Sequence, residues 1–466
     1  MTPVRDYTAL FPFGGSGGGA LGFMQAEARL FDTAARFSVL GSLDFDAAAC
    51  VDFEAFTKAP AWCVDVQTIT AGEVLRRYGL RAPDVVFLSP PCKGSSRLLS
   101  TAKSKDPKYV AMNRLAVVWT RVMLEAWGDA PPKLVLLENV PGLPQRAGGM
   151  LRELRSMLKA AGYVFHASTH DCGEIGGLAQ HRDRYLLVAR HTGSCSSLLY
   201  KPITKRVRGV GEVLGELPMP ATSAADAWGD LHVMPRLTWR NWLRLALIPA
   251  GGDWRDLDGV LQGRARREVF RRHAVQAWEQ PIDAVTGPGG HTIGAVADPR
   301  IEAVRVPVGY DAAYGVLAWD QPARTVAGNI AAGCGAYAVA DGRERLTVNA
   351  RVLTLDEAMA LDLNPMKAPP FIPLIVAEDG AWHRPLTSLE LAALQGYPTT
   401  VDGQPVRFEG GRTVIAEHIG NSVPPPAARG IAEQMLVTLL ASEAGSWSMG
   451  TTGVWTTPTE ESVLPC

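Results

Sequence analysis

The chain has 466 residues, 47% hydrophobic and 20% charged, with a formal net charge of −1. That length accommodates two or three domains of ordinary globular composition. The near-zero charge excludes a global basic field, so any nucleic-acid contact must come from a local patch. Seven scattered cysteines without a C-x-x-C pair argue against a disulfide framework or a zinc site. No signal peptide and no membrane-length apolar run is recognisable, so a cytosolic protein with no membrane partner and no metal is expected.

In chain order, residues 8–19 run from a short apolar segment into Phe13-Gly14-Gly15-Ser16-Gly17-Gly18, and a helix-like run follows from Ala20 to Leu30. Such glycines let backbone approach a nucleotide-like ligand, or simply form a turn. The missing G-K-[ST] ending argues against a P-loop. A strand is expected over Phe37–Leu40, ahead of Asp44-Phe45-Asp46. An acid in that position holds ribose hydroxyls in many sheet enzymes, and a solvated surface Asp is the plain alternative. Trp62-Cys63-Val64 leads into Asp65 and Val66, and a helix is expected over Ala71–Tyr78.

Four apolar residues, Val85 to Leu88, read as a buried parallel-type strand, and Pro90-Pro91 stop it. Cys92 follows at the carboxyl end of that strand, where open sheets place their ligands. A structural buried thiol is the competing reading. The next loop is small and basic, with Lys93, Ser95, Ser96, Arg97, Lys103, Lys105 and Lys108, suited to closing over a polyanion or to solvation. An amphipathic helix is expected over Asn113–Trp127, with Leu115, Val118, Val122 and Ala126 on one face. The apolar run Leu134–Leu137 ends in Glu138-Asn139-Val140-Pro141-Gly142, which brings Glu138 to the same sheet edge as Cys92. A glutamate ending a buried strand is costly unless hydrogen-bonded or functional. After a helix over Met150–Ala160, Gln180, Arg182 and Arg184 share one face of extended chain before a strand over Tyr185–Ala189. Two arginines on one face imply an anionic or carbonyl partner, against the plain alternative of surface ion pairs.

From 191 to 383 the βαβ rhythm is lost, and basic residues cluster at Lys201, Lys205, Arg206 and Arg208 and at Arg264, Arg266, Arg267, Arg271 and Arg272. This reads as a second, irregular domain whose basic clusters are phosphate contacts or solvated faces. A helix capped by Thr387 or Ser388 with Glu390 follows, then Gly420-Asn421-Ser422-Val423-Pro424-Pro425 and a helix over Ala427–Leu436. The expected division is 1–190 for the first domain, 191–383 for the second, 384–440 for a segment returning to the first, and 441–466 for a disordered tail.

The ordered set Phe13-Gly14-Gly15-Ser16-Gly17-Gly18, Pro91-Cys92, Glu138-Asn139-Val140, Gln180-x-Arg182-x-Arg184, Arg384-Pro-Leu-Thr with Leu394-Gln395-Gly396-Tyr397-Pro398, and Gly420-Asn421-Ser422-Val423-Pro424-Pro425 resembles the cytosine carbon-5 DNA methyltransferases, over residues 8–190 and 384–436. The resemblance implies an α/β fold: a doubly wound, mostly parallel sheet binding S-adenosylmethionine, with an inserted, smaller target-recognition domain. It implies a monomer acting on double-stranded DNA in a bacterial or phage-infected cell. Cys92 would attack carbon 6 of a flipped-out cytosine. Glu138 would hold ring nitrogen 3 and the exocyclic amine, Arg184 the base carbonyl, Arg182 the order of the site, and Asn139 the shape of the cysteine loop.

For the cofactor, Phe13 would stack on adenine and Gly14, Gly15, Gly17 and Gly18 would admit the methionine part. Asp44 would take the ribose hydroxyls, Phe45 and Val66 would flank adenine, and Asp65 would meet its amine. Pro90, Asn421 and Val423 would complete the pocket. Lys93, Ser95, Ser96, Arg97, Arg264 and Arg267 are the implied DNA contacts. The sequence departs from the family pattern at Ala9, where Asp is usual, at Asp44, where Glu is usual, and at Lys93, where Gln is common. An RNA methyltransferase of the same fold, acting on a tRNA cytosine, and an inactive DNA-binding relative are the rival readings.

Overall fold

The computed structural model describes residues 3–92, 106–221, 228–248, 275–276, 280–283, 295–298, 357–358, 360–373, 375–376, 382–446 and 450–456. Lys93, Ser95, Ser96, Arg97, Arg264 and Arg267, together with the arginine cluster around 266–272, lie outside them. The chain forms two compact units: residues 1–177, 183–205 and 422–466, and residues 178–182 and 206–421.

The first unit is built on β1 (Val4–Pro12), α1 (Gly18–Met24), β2 (Glu27–Leu30), β3 (Thr33–Asp44), α2 (Ala47–Thr57), β4 (Ala61–Cys63), α3 (Ala71–Tyr78) and β5 (Val85–Leu88). These are followed by α4 (Pro107–Trp127), β6 (Leu134–Asn139), α5 (Leu143–Arg146), α6 (Gly148–Ala160), β7 (Tyr163–Asp171) and α7 (Cys172–Gly176). Seven strands lie in the order β2-β3-β1-β5-β6-β9-β7, where β9 is Asp183–His191, and β4 pairs with β3. β1, β3, β4, β5 and β6 run parallel, while β2, β9 and β7 pair antiparallel to their neighbours. This mostly parallel sheet matches the expected fold class.

The near-continuous apolar runs of β5 and β6 arise because both faces of the sheet are covered. Val85 and Phe87 of β5, with Leu134 and Leu136 of β6, pack on one face with Ala20, Phe23, Ala428 and Met435. Val86, Leu88, Val135 and Leu137 pack on the other with Trp119, Met123, Leu151 and Leu154. Alternation by two thus assigns each residue to a layer.

Two local expectations are corrected. The run Ala20–Leu30 is not one helix: α1 ends at Met24, and Glu27–Leu30 forms β2, antiparallel to β3. Pairing with β3 at the edge of the sheet outweighs the modest helix propensity of that stretch. The tail is not wholly disordered. Residues 441–443 belong to the helix Pro425–Glu443. Residues 450–456 lie against the chain at Leu199 and Lys201, with Trp455 fully buried. A buried indole offsets the ordering cost that the Ser/Thr/Gly composition implies.

In the second unit, β8 (Gln180–His181) pairs with β11 (Ile282–Asp283), and β10 (Val275–Gln276), β12 (Ala295–Asp298), β14 (Trp382–Pro385) and β13 (Ile375–Val376) form a four-stranded sheet in the order β10-β12-β14-β13. Its helices are α8 (Gly211–Leu214), α9 (Trp239–Leu247), α10 (Ser388–Leu394) and α11 (Arg412–Asn421), and β15 (Thr400–Val401) pairs with β16 (Gln404–Pro405) as a hairpin. Residues 384–421, read from the sequence as already returning to the first domain, belong to this unit. Arg384 lies on β14, and its guanidinium donates to both oxygens of Glu390 at 2.9 and 2.7 Å, with both side chains fully buried. Glu390 also closes a capping box with Thr387 at the start of α10. The Arg384-Pro-Leu-Thr motif is therefore an internal clasp of this unit. The first unit resumes at Ser422 and the helix α12 (Pro425–Glu443). There α1 and α12 touch at Gly22, where a Cβ would sit 2.3 Å from the Pro425 carbonyl.

Candidate active site

The carboxyl ends of β5 and β6 build the centre. The parallel ladder ends at the pair Leu88–Leu137. It cannot continue through Pro90 and Pro91, which have no N–H to donate. Side chains take over in the same register. Ser89 Oγ donates to Glu138 Oε2 at 2.7 Å, and Asn139 Nδ2 donates to the Pro90 carbonyl at 3.0 Å. The Ser89 N–H reaches back to the Pro12 carbonyl at the end of β1. Half-buried Cys92 lies two residues beyond Pro90.

Glu138 is 5% exposed, and its second oxygen, Oε1, accepts from Arg184 Nε at 2.9 Å. Arg184 stands on β9, which pairs with β6, and its Nη1 donates to the Asp183 carbonyl at 2.7 Å. The expected alternation holds: Gln180, Arg182 and Arg184 are buried, while His181 and Asp183 are exposed. They divide between the units, however. Arg182 is fully buried in the second unit and donates to the Gly420 carbonyl at 2.9 Å. Gln180 donates to the Leu394 carbonyl and to Gln395 there. The centre in the first unit therefore comprises Cys92, Glu138, Asn139 and Arg184, together with Ser89. Sequence reasoning passed over Ser89. Its signal was its place opposite Glu138 in the parallel register.

The candidate cofactor residues gather at the ends of β1 and β3. Phe13 adopts φ 60°, a left-handed conformation unusual for a bulky residue, and is 8% exposed. Such strain persists only where surrounding structure enforces it, and it clusters at ligand sites. Its N–H is held by the Leu43 carbonyl at 2.7 Å. Gly14 is closely packed, since a Cβ there would meet Ser42 Oγ at 2.4 Å. Gly15, at φ 51°, has open space where a Cβ would stand. Gly17 precedes α1 and Gly18 begins it. Asp44, at the end of β3, accepts from the Gly15 N–H at 3.0 Å and from the Asp46 N–H at 3.1 Å. Burial holds its carboxyl above the usual carboxylate range, and those N–H donors oppose the shift.

Phe45 is 64% exposed, Asp65 is exposed and Val66 is buried. Asp65 accepts from the Gln67 N–H at 2.9 Å. Pro90 and Val423 are buried in the first unit, whereas Asn421 is an exposed residue of the second. This donor set fits a nucleoside with a charged tail: an acceptor carboxylate, an aromatic at a glycine loop and open space beside Gly15. Among the described residues, no group of three or more His, Cys, Asp or Glu could hold a metal ion, and no helix is long and apolar enough to cross a membrane. Of the basic cluster at 201–208, Arg206 is held by Glu212 at 2.9 and 2.6 Å, which pulls the Glu212 carboxyl down to about 2.

These features define an α/β protein with a half-buried cysteine and a buried, paired acid at the carboxyl edge of its sheet. The sequence model of the C-5 cytosine-specific DNA methylases matches residues 12–216 and 351–437. The chain belongs to that family. It is 24% identical over 494 aligned positions to the type II methyltransferase M.AgeI of Thalassovita gelatinovora, covering 92% of this chain and 98% of that protein. It is 32% identical over 109 residues to the type II methyltransferase M1.BsuMI of Bacillus subtilis, covering 23% of each. A match to M.XorII of Xanthomonas oryzae pv. oryzae spans 49% of that protein at 26% identity. The chain thus spans less than half the length of two of these relatives and nearly all of the third. An Entamoeba histolytica methyltransferase shares the fold, with a TM-score of 0.50 at 14% identity over 94% of this chain and 98% of that one.

Proposed function

We propose that the chain is a DNA (cytosine-5)-methyltransferase that uses S-adenosylmethionine and works through a covalent cysteine adduct on a flipped-out base of duplex DNA. The observation that carries this reading is the Ser89–Glu138–Arg184 arrangement at the strand exit beside the one bearing Cys92, with Glu138 buried and both its oxygens engaged.

Cytosine carbon 5 is a poor nucleophile. Addition of the Cys92 thiolate to carbon 6 makes carbon 5 enamine-like. Glu138 holds ring nitrogen 3 in its protonated form and accepts from the exocyclic amine, which draws charge out of the ring. Arg184 orients Glu138 and binds the base carbonyl. Asn139 holds the Pro90 carbonyl and so sets the course of the chain into Cys92. Reaching carbon 6 requires the base to leave the stack.

S-adenosylmethionine supplies an electrophilic methyl group when bound. Phe13 stacks on its adenine, Asp44 accepts from the ribose hydroxyls, Asp65 meets the adenine amine, Phe45 and Val66 flank the ring, and the glycines at 14, 15, 17 and 18 admit the methionine part. Pro90 and Val423 complete the pocket, and Arg182 orders its own unit through the Gly420 carbonyl. Lys93, Ser95, Ser96, Arg97, Arg264 and Arg267 contact the DNA.

Duplex DNA rather than RNA is supported by the family and by relatives described as type II methyltransferases. The test is methyl transfer to duplex DNA against tRNA, with trapping on duplexes containing 5-fluorocytosine. Wild type gives a covalent complex linked through Cys92, and Cys92→Ala gives none while still binding DNA. Methylation confined to tRNA, or an adduct on another cysteine, overturns the proposal.

A further inference from the structure

The two oxygens of Glu138 have chemically different partners. Arg184 Nε can only donate, so Oε1 is always an acceptor. Ser89 Oγ, 2.7 Å from Oε2, carries one donor and two lone pairs and can serve either protonation state of that oxygen. Any proton that Glu138 carries therefore resides on Oε2, the oxygen facing Ser89.

The geometry points to Ser89 as the positioning residue that carries Glu138 through the proton exchange with the target base, an inference that rests on the role proposed above for Glu138. A sulfur lone pair of the Cys92 thiolate forms the bond to carbon 6. The carbon 5–carbon 6 π pair becomes the carbon 4–carbon 5 double bond. The carbon 4–nitrogen 3 π pair becomes a nitrogen lone pair, which takes the proton from Oε2. Oε2 is left as a carboxylate oxygen that accepts from the new N3–H and from the Ser89 hydroxyl. Ser89 stabilises that ionised product, which lowers the cost of giving up the proton. The serine is also well held for this task. Its N–H is tied to the end of β1, and the next residue is clasped by Asn139.

The test compares wild type, Ser89→Ala, Ser89→Cys, Ser89→Thr and Glu138→Ala, each as the full chain, on duplex DNA. Ser89→Ala is expected to lower kcat about tenfold or more, the size of one hydrogen bond to a charged group. The KM for DNA and the Kd for S-adenosylmethionine stay within about twofold, since the base and the cofactor keep their other contacts. A carboxylate that has lost a donor binds its proton more tightly, so the apparent pKa in the kcat profile moves to higher pH. Ser89→Thr restores both rate and profile, and Ser89→Cys, close in size but a weak donor, behaves like Ser89→Ala.

A fall in kcat with an unmoved pH profile makes Ser89 merely structural and overturns the inference. So does wild-type behaviour of Ser89→Ala or Ser89→Cys while Glu138→Ala is inactive. Full activity of Glu138→Ala overturns the role of Glu138 itself, an outcome distinct from the other two.

Discussion

Replacing Arg184 by alanine removes the guanidinium from a carboxylate that is 5% exposed. The pair is 2.9 Å apart between Nε and Oε1, with only 9% and 6% of the side chains exposed. At charge separations of about 4 Å and an effective dielectric near 20, the attraction is about 4 kcal/mol. Breaking a buried pair by removing one partner costs about 3–5 kcal/mol, because the remaining charge is stranded. Arg184→Ala is therefore expected to lose about 3–5 kcal/mol of first-unit stability at pH 8, measured by urea denaturation.

Without the arginine, the Glu138 carboxylate is left in a buried site with no opposite charge beside it. Glu138→Gln added to Arg184→Ala removes the stranded charge and restores part of the loss. A penalty below about 1 kcal/mol, the range of an exposed pair, would refute the reasoning. So would a double variant no more stable than Arg184→Ala.

Asp44→Asn should weaken S-adenosylmethionine binding about tenfold, the scale of one hydrogen bond to a charged group. In wild type, where burial raises the Asp44 pKa, affinity should fall as pH drops from 8 towards 5; titration calorimetry at three pH values checks both. Trp455→Ala empties a fully buried site and should cost about 3–5 kcal/mol, with faster proteolysis after residue 446 as the readout. His170, against Trp455 and Ser168, is pushed down to about 4 by burial. Its unfolded value is near 6.5, so its contribution is complete above that pH and is lost as pH falls towards 4. His170→Gln should flatten the stability profile in that window, measured by thermal unfolding between pH 7 and 4.5.

Much of the first unit was legible because its information is local. Val85–Leu88 and Leu134–Leu137 are apolar at every position, which only a strand covered on both faces requires, and both end in residues that stop the ladder. That placed Cys92 and Glu138 at one edge. The alternation of Gln180, Arg182 and Arg184 likewise survives as alternate burial. The misread stretches depend on distant partners. Glu27–Leu30 becomes a strand because β3 is there to pair with it, and the tail orders where Trp455 finds a buried place.

The sequence by itself determined the two core strands Val85–Leu88 and Leu134–Leu137, the motif set and the residues able to do chemistry, since these follow from residue type and periodicity. Only the tertiary structure decided how those residues are shared out. Arg384 through Asn421 belong with the second unit, because the Arg384–Glu390 clasp is satisfied inside it. Arg182 and Arg184, two positions apart, serve different units. Ser89, a commonplace serine in the chain, faces Glu138 because parallel register brings two strand exits together at a point where proline forbids the backbone from pairing.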